Sequence, residues 1–385
     1  MVICIPKEIM KGESRVAATP ETVKKFIADG ATVLVEKGAG HASLHDDEDY
    51  ISAGATIMED TRALYDKADL ILKVKEPLLN DRLGVHEVEL MHEGQYLITF
   101  IHPASPVNHD MVRKLADRGI IALTLDGVPR ISRAQNMDAL TSMSTCAGYK
   151  GIIMAADDMA TFIPQMFTAG GMIPPAKVMV IGVGVAGLQA LATARRLGAV
   201  TYAADIRPAA AEQATSLGAK LIDTGVDPKI AIAEGGYANK LPQDVLEKER
   251  ELLLPTLKDM DVVFCSALIP GKVAPILITE EMVKQMKRGA VIVDISIDQG
   301  GNCEITPAGG KEEKHGVLIN GIKNIPGLIP SSSTKMFSQN VYNLVHYLTH
   351  DGEIKLDMSD EICRKILVTH NHEIVHAGTR EAMGI

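Results

Sequence analysis

Two stretches of this chain hold side chains whose types and spacing suit chemistry. In "AKVMVIGVGVAGLQALATARRLGAVTYAAD", Gly182, Gly184 and Gly187 form a G-x-G-x-x-G set. The set follows an apolar strand-like run, opens an Ala/Leu-rich helix-like run, and precedes a second strand-like run ending in Asp205. Glycines permit a tight turn and a close backbone approach, so a pyrophosphate can sit on the helix N-terminus. Asp205 lies 23 residues after Gly182, close to the roughly 20-residue spacing of a ribose-binding acid. An acid there favours NAD over NADP, because a 2′-phosphate would meet a like charge; Arg207 is the nearby group that could accommodate that phosphate. Three glycines alone could be a structural turn. The order strand, turn, helix, strand, acid is what makes them a nucleotide site.

The second stretch is "RISRAQNMDALTS", from Arg130 to Ser142. Arg130, Arg133, Gln135 and Asp138 crowd together shortly before the glycine turn. On residue types alone they could anchor a ligand or form a solvated, helix-capping linker. Two further sets read as bland. His370, His372 and His376 in "THNHEIVH" could share a strand face and bind metal, but no Cys or Asp completes the set, so a surface tail is expected. The "SSST" at 331–334 reads as a helix N-cap region, with no paired base to make it a nucleophile.

These residues need elements to position them, and the chain supplies an alternation of strand-like and helix-like runs. "VICIP", "TVLVEKG", "DLILKVKEP", "YLITFIHPA" and "IIALTLDG" are β-rich, with helical spacing in "TPETVKKFIADG" and "PVNHDMVRKLADRG" between them. Such alternation predicts parallel sheets covered by helices. A long helix is expected from about Asn136 through Ala160, leading into a second α/β domain with strands in "VMVIG", "VTYAAD", "KLIDT", "DVVFCSAL" and "AVIVDISI". The polar segment 223–243 breaks the rhythm. A loop of that length is expected to be functional or mobile, or else a solvated insertion.

Length and composition bound the rest. A chain of 385 residues holds two or more domains as a soft prior. With 46% hydrophobic and 23% charged residues and no Trp, it has a soluble globular balance. A net charge of -10, without any basic run, excludes a general nucleic-acid backbone binder. The five cysteines at 4, 146, 265, 303 and 363 form no CxxC pair and fit reduced, buried thiols of a cytosolic protein. Lys7 and Glu8 interrupt the N-terminus too early for a signal peptide. The longest uncharged runs, 159–176 and 178–194, are broken by Pro174-Pro175 and by glycines, so no membrane crossing is expected.

Taken together, "IPKE…ESRVAATPETV", "VIGVGVAGLQA…LGAVTYAAD" and "ALIPGKVAPILITEEMV…VIVDISIDQGGNC" resemble the alanine dehydrogenase and transhydrogenase family along nearly the whole chain. "PRISRAQNMDALTS" and "GGYANKL" are more specific. They are similar to the NAD(H)-binding components (alpha subunit, soluble domain I) of proton-translocating NAD(P) transhydrogenases. The resemblance implies an α/β fold of two Rossmann-like, doubly wound parallel-sheet domains. The first would be discontinuous, 1–138 plus 329–385, and the second, NAD(H)-binding domain would span 139–328. It implies a homodimer that docks with NADP(H)-binding and membrane-spanning partner subunits, in the cytoplasm and peripheral to the inner face of the cell membrane.

Residue by residue, the resemblance puts Arg130, Gln135 and Asp138 beside the nicotinamide and its ribose, with Ile131, Ser132, Arg133 and Thr141 around them. Family members usually have Ser where this chain has Thr141, which keeps the hydroxyl and adds a methyl. Val185 and Ala186 join the three glycines at the phosphates, Asp205, Ile206 and Arg207 the adenosine ribose, and Leu268 the cofactor. Gly236 and Tyr237 would lie in a loop that closes over NAD(H). Hydride passing between two nicotinamides needs no protein proton donor, only orientation and exclusion of water. A second resemblance runs to the substrate site of soluble alanine dehydrogenases, carried by Arg15 in "ESRVA", Lys75 in "KVKEP", His102 in "FIHPA" and Asp298 in "DQGG". It implies Arg and Lys on a substrate carboxylate, His and Asp managing protons, and oxidative deamination of a small L-amino acid as the alternative activity. A catalytically silent NAD(H)-sensing subunit is a third reading, opposed by the polar set at 130–138.

Overall fold

Short runs rich in Val, Ile and Leu become buried parallel strands in the computed structural model, which describes residues 1–232, 238–269 and 273–385. The chain divides into two compact units, Met1–Met143 with Gly327–Ile385, and Ser144–Pro326. In the first, the sheet order is Thr56–Met58, Thr32–Glu36, Val2–Ile5, Leu70–Leu72, Tyr96–Thr99 and Ile121–Thr124, all parallel. An antiparallel hairpin from the C-terminal segment, Leu367–His370 with Glu373–Ile374, extends it. Counted along the chain, the parallel strands lie in the order 3-2-1-4-5-6, a doubly wound sheet.

The second unit repeats the plan. Its sheet runs Lys220–Leu221, Val200–Ala204, Lys177–Ile181, Val262–Cys265 and Val291–Asp294, then Val317–Asn320 and the antiparallel edge Lys311–Lys314. The order 3-2-1-4-5 reverses between Lys177–Ile181 and Val262–Cys265. In such sheets ligands bind outside the strands' carboxyl ends at that reversal. Cores form on both sheet faces, with Met179, Ile181, Val263 and Ile292 on one side and Val178, Val180, Val262 and Phe264 on the other.

The helix expected from Asn136 begins instead at Ala139 and runs to Asp158. Residues Ser132–Met137 form a 3₁₀ turn, and Asp138 ends it by accepting the Thr141 N–H at 2.8 Å, an N-cap bond that fixes where the α-helix starts. Two glycines let this helix pack closely. A methyl on Gly148 would lie 2.1 Å from the Ala186 carbonyl oxygen, and one on Gly151 would meet the Phe264 ring at 2.5 Å. The "SSST" run lies inside the first turns of the helix Pro330–Leu348, whose N-cap is Ile329 without a side-chain cap bond. Segment 223–243 holds a short helix, Pro228–Ala231, and a bridge from Ile232 to Ala238. All five cysteines are free and buried. Among the described residues there is no cluster suited to a metal ion and no helix long and apolar enough to cross a membrane.

Candidate functional site

The glycine turn sits at the reversal point of the second sheet. Gly182 follows Lys177–Ile181 with φ +84, and a methyl there would fall 2.5 Å from the Ala267 nitrogen. Ser266 Oγ donates to the Gly182 carbonyl at 2.7 Å. A methyl on Gly187 would lie 2.1 Å from that same carbonyl, so the helix Val185–Arg196 can pack on the strand only through glycine. Gly184 differs. It is the helix N-cap, with no side-chain cap bond, and a methyl on it would meet nothing within 4 Å. The first and third glycines are therefore required by packing, while the second faces open space before uncapped backbone N–H groups. That is the arrangement a pyrophosphate needs.

Asp205 closes the other side of the turn. Its Oδ2 accepts the Val183 N–H at 2.7 Å, and its Oδ1 accepts the Arg207 N–H at 2.8 Å. The Arg207 guanidinium adds a fork, Nε to Oδ1 at 2.9 Å and Nη2 to Oδ2 at 2.7 Å. Asp205 and Arg207 thus neutralise each other, and Arg207 is held away from the role of a free phosphate-binding cation. Nearby Glu249 is buried on the inner face of the helix Gln243–Leu257. Burial first, then the charge of Asp205, pushes its carboxyl up to about 7. Leu268 is exposed beside Ala267 and the glycine turn. Gly236 and Tyr237 lie outside the described residues.

Segment 130–141, in the first unit, is a rigid display of polar groups. Ala134 and Met137 anchor it by burial. The Asn136 carbonyl accepts from Asn340 Nδ2 and Asn343 Nδ2, both at 2.8 Å, on the helix Pro330–Leu348. Arg133 is tied to the Tyr347 hydroxyl at 2.6 Å and to Asp360. Arg130, Ser132 and Gln135 stay exposed, with Ile131 half-buried. Asp138 takes the Thr141 hydroxyl on Oδ2 at 2.6 Å, so the extra methyl of threonine costs no hydrogen bond.

Three of the four residues of the alternative substrate site also gather in the first unit. Arg15 is buried, forked onto Glu13 at 2.8 and 2.6 Å, with Nη1 2.9 Å from the Met143 sulfur. Burial opposes the Glu13 charge, but Arg15 holds the carboxyl below its ordinary value, and Lys75 adds to this. His102 has a left-handed backbone, φ +47, rare for a residue with a side chain. Its Nδ1 lies 2.7 Å from Asp126 Oδ1, its N–H donates to Asp126 Oδ2 at 2.8 Å, and its ring stacks on Phe100. Burial disfavours the imidazolium, yet Asp126 outweighs it and, with Glu76, holds the imidazole above its ordinary value against Lys75. Asp298 belongs to the second unit, is exposed, and pairs with Lys323 at 3.7 Å.

Known proteins share both the sequence and the geometry. The family model described as "Alanine dehydrogenase/PNT, N-terminal domain" matches residues 4–147, and "Alanine dehydrogenase/PNT, C-terminal domain" matches 151–377. The chain belongs to the alanine dehydrogenase/PNT family. Members of the alanine dehydrogenase/PNT family bind NAD(H), and the chain is an oxidoreductase component acting on nicotinamide nucleotides. The first of the separate polypeptides that make up NAD(P) transhydrogenase subunit alpha in Rhodospirillum rubrum is 42% identical over 379 residues, 98% of each chain. The alanine dehydrogenase of Bacillus subtilis is 33% identical over 396 residues, covering 100% of this chain and 95% of that one. A solved transhydrogenase structure from Sinorhizobium meliloti superposes with TM-score 0.85 at 38% identity, covering 97% of this chain and 100% of that one. Within the alanine dehydrogenase/PNT family the similarity therefore leans to the transhydrogenase branch, and the NAD(H)-binding transhydrogenase component is the supported description.

Several residues of this alanine dehydrogenase/PNT chain escaped the sequence. Asp126 is 24 positions from His102, and only the pairing of Tyr96–Thr99 with Ile121–Thr124 brings them together. Ser266 gave no signal beyond following a strand. Glu13 was visible two residues before Arg15, where a buried arginine calls for an acid.

Proposed function

We propose that this chain holds NAD(H) and exchanges hydride with NADP(H) held by a partner subunit of a proton-translocating transhydrogenase. The observation that carries the reading is the segment 130–138, which keeps Arg130, Ser132 and Gln135 exposed while Ala134, Met137 and the Asn136 carbonyl fix its backbone. Polar groups on a rigid support suit the orienting of a ring for direct transfer. In this reading the N–H groups after Gly184 hold the pyrophosphate, with Val185 and Ala186, and Asp205, Ile206 and Leu268 take the adenosine end. Arg130, Gln135 and Asp138 orient the nicotinamide carboxamide and ribose, with Ile131 and Thr141 beside them, and Gly236 and Tyr237 belong to the closing loop. The bound nicotinamide supplies the hydride chemistry, and the chain supplies no proton. Arg133, bound to Tyr347 and Asp360, positions the segment.

No helix among the described residues is long and apolar enough to cross a membrane, so the reading assigns proton passage to a membrane-spanning partner and places this chain at the inner face of the cell membrane. The Rhodospirillum relative is named as one portion of a subunit alpha, which supports the existence of such partners. A homodimer is proposed as well. The hairpin Met166–Thr168 with Gly171–Ile173 exposes Phe167 and Met172 side by side, close to exposed Phe162 in sequence. Apolar side chains grouped in this way mark association surfaces.

One observation favours a second reading, an alanine-type dehydrogenase: the strained, carboxylate-paired His102 is equipped for proton transfer, which hydride exchange does not use. A two-vessel assay separates the readings. Purified protein and NADH receive pyruvate with ammonium in one vessel and an NADP⁺-loaded partner subunit in the other. Turnover only with the partner supports the proposal, and turnover only with pyruvate overturns it. Inactivity in both points to an NAD(H) sensor.

A further inference from the structure

Asn302 is fully buried, and every polar atom of its side chain is bound. Its Oδ1 accepts from the Ala267 N–H at 2.9 Å and from Ser296 Oγ at 2.8 Å. Its Nδ2 donates to the carbonyls of Ala267 at 2.8 Å and Pro275 at 2.9 Å. Its own carbonyl accepts from the N–H groups of Leu277 at 2.8 Å and Ile278 at 3.0 Å. One residue thus holds both ends of the loop that leaves the strand Val262–Cys265. Asp294, also buried, holds Asn302 in turn. Its Oδ2 accepts the N–H groups of Asn302 at 2.8 Å and Cys303 at 3.0 Å and the Thr306 hydroxyl at 2.9 Å.

The Ala267 end of that loop is packed against the glycine turn. Gly182 needs to be glycine because Ala267 stands where its methyl would be, and the neighbouring Ser266 hydroxyl is bonded to the Gly182 carbonyl. Any drift of Ala267 would move the turn and exposed Leu268 together. Only a side-chain amide offers a donor and an acceptor that can match the N–H and the C=O of one residue at once. Aspartate would face two carbonyls with no donor and set a second carboxylate beside Asp294.

We infer that Asn302 is a positioning residue for NAD(H) binding: acting through Ala267, it holds the Gly182 turn and Leu268 in their binding geometry. Asn302 itself touches no cofactor. The inference rests on the reading of the 182–187 turn as the NAD(H) site. Asp298 lies four residues before Asn302 and is exposed, paired with Lys323; it is Asn302 that has the connection to the turn.

The test uses the intact protein with Asn302→Ser and the milder Ser296→Ala. Val178→Ala serves as control, a core cavity at the far end of the strand that leads into Gly182. Three quantities are read: the NADH Kd by nicotinamide fluorescence, the hydride-transfer kcat at saturating NADH, and amide exchange at Ala267, Ala274, Leu277 and Ile278 without ligand. Losing two hydrogen bonds to the loop predicts a Kd roughly tenfold weaker for Asn302→Ser, and about threefold weaker for Ser296→Ala, with kcat within about twofold. Exchange at the four amides accelerates in both, while Val178→Ala lowers the Tm and leaves Kd and exchange unmoved. If Asn302→Ser fails to fold, Ser296→Ala carries the test. An unchanged Kd in folded variants, or a Kd shift that the control shares at matched Tm, overturns the inference while the NAD(H) reading stands. Failure of the unaltered protein to bind NADH overturns both.

Discussion

Alanine at Gly184 and alanine at Gly187 should fail in opposite ways. At Gly187 the new methyl would sit 2.1 Å from the Gly182 carbonyl oxygen, a backbone atom held by Ser266. Overpacking of this kind costs about 1–3 kcal/mol, and the rigid carbonyl argues for the upper half. For a unit of this size each kcal/mol moves the Tm by roughly 2–4 °C, so a fall of roughly 2–12 °C is expected. At Gly184 the backbone has φ -80 and ψ -162, and a methyl meets nothing within 4 Å. The stability cost is then that of a poorer N-cap, a few tenths to about 1 kcal/mol. The same methyl, however, stands in the space before the uncapped N–H groups, so NADH affinity should drop at least about tenfold, or about 1.4 kcal/mol. Thermal unfolding and fluorescence titration with NADH, run on both variants, read the two axes separately. A Gly184→Ala protein that binds NADH like the unaltered chain would refute the assignment of this turn. A Gly187→Ala protein of unaltered Tm would refute the packing account.

Three further outcomes follow from named contacts. Asp138→Asn keeps an equally good helix cap and should leave the Tm nearly unchanged, yet it and Gln135→Asn should slow hydride transfer far more than they weaken NADH binding; intact rates in both would return the segment to the role of a linker. Lys73→Met strands Glu8 and Glu87, which flank the buried ammonium at 3.4 and 2.9 Å, and should cost about 3–5 kcal/mol in chemical denaturation; a loss well below about 1 kcal/mol would contradict the pairing. His102 has a folded pKa above its ordinary value, so its stabilising contribution is complete below the unfolded pKa and fades as pH rises through the folded one. The stability gap between the unaltered protein and Asp126→Asn should therefore be wider near about pH 6 than near about pH 8, and a gap independent of pH would count against a charged His102–Asp126 pair.

Much of the fold was legible because parallel strands buried on both faces leave unmistakable apolar runs. "VMVIG", "DVVFC" and "AVIVD" became adjacent strands, and the doubly wound α/β class was borne out. What sequence misplaced was a boundary that side-chain chemistry decides. Apolar spacing carried the long helix back to Asn136, but the Asp138 carboxylate caps it at Ala139 and leaves Ser132–Met137 as a tighter turn. The glycine turn was legible too, and the structure adds that its three glycines have two different reasons. Partnerships across distant positions were invisible. His102 with Asp126, and Asn302 with Ala267, depend on which strands lie side by side, and no local pattern encodes that. Arg133 looked like one more ligand anchor, and its ties to Tyr347 and Asp360 could be seen only once the C-terminal segment was folded against it.

The two units share a sheet order, and the contrast at their reversal points explains why one is a nucleotide site. In the second unit the strand Lys177–Ile181 is followed at once by Gly182, and its neighbour Val262–Cys265 by the small residues Ser266 and Ala267, which leaves room before the helix N-terminus. In the first unit the matching strands, Val2–Ile5 and Leu70–Leu72, are followed within three residues by Glu8 and Lys73, both buried. Glu8 Oε1 takes the Val74 N–H at 2.6 Å, and Lys73 reaches Glu87, which also accepts the Tyr65 hydroxyl at 2.9 Å. Burial pushes the Glu8 carboxyl up to about 7 against the pull of Lys73. An ion network therefore fills the first crevice with the chain's own charges, where the second presents backbone N–H groups to open space. A helix N-terminus binds phosphate only if no side chain has taken its place. The same topology thus yields a cofactor site in one unit and, in the other, a rigid support on which Arg130, Gln135 and His102 are displayed.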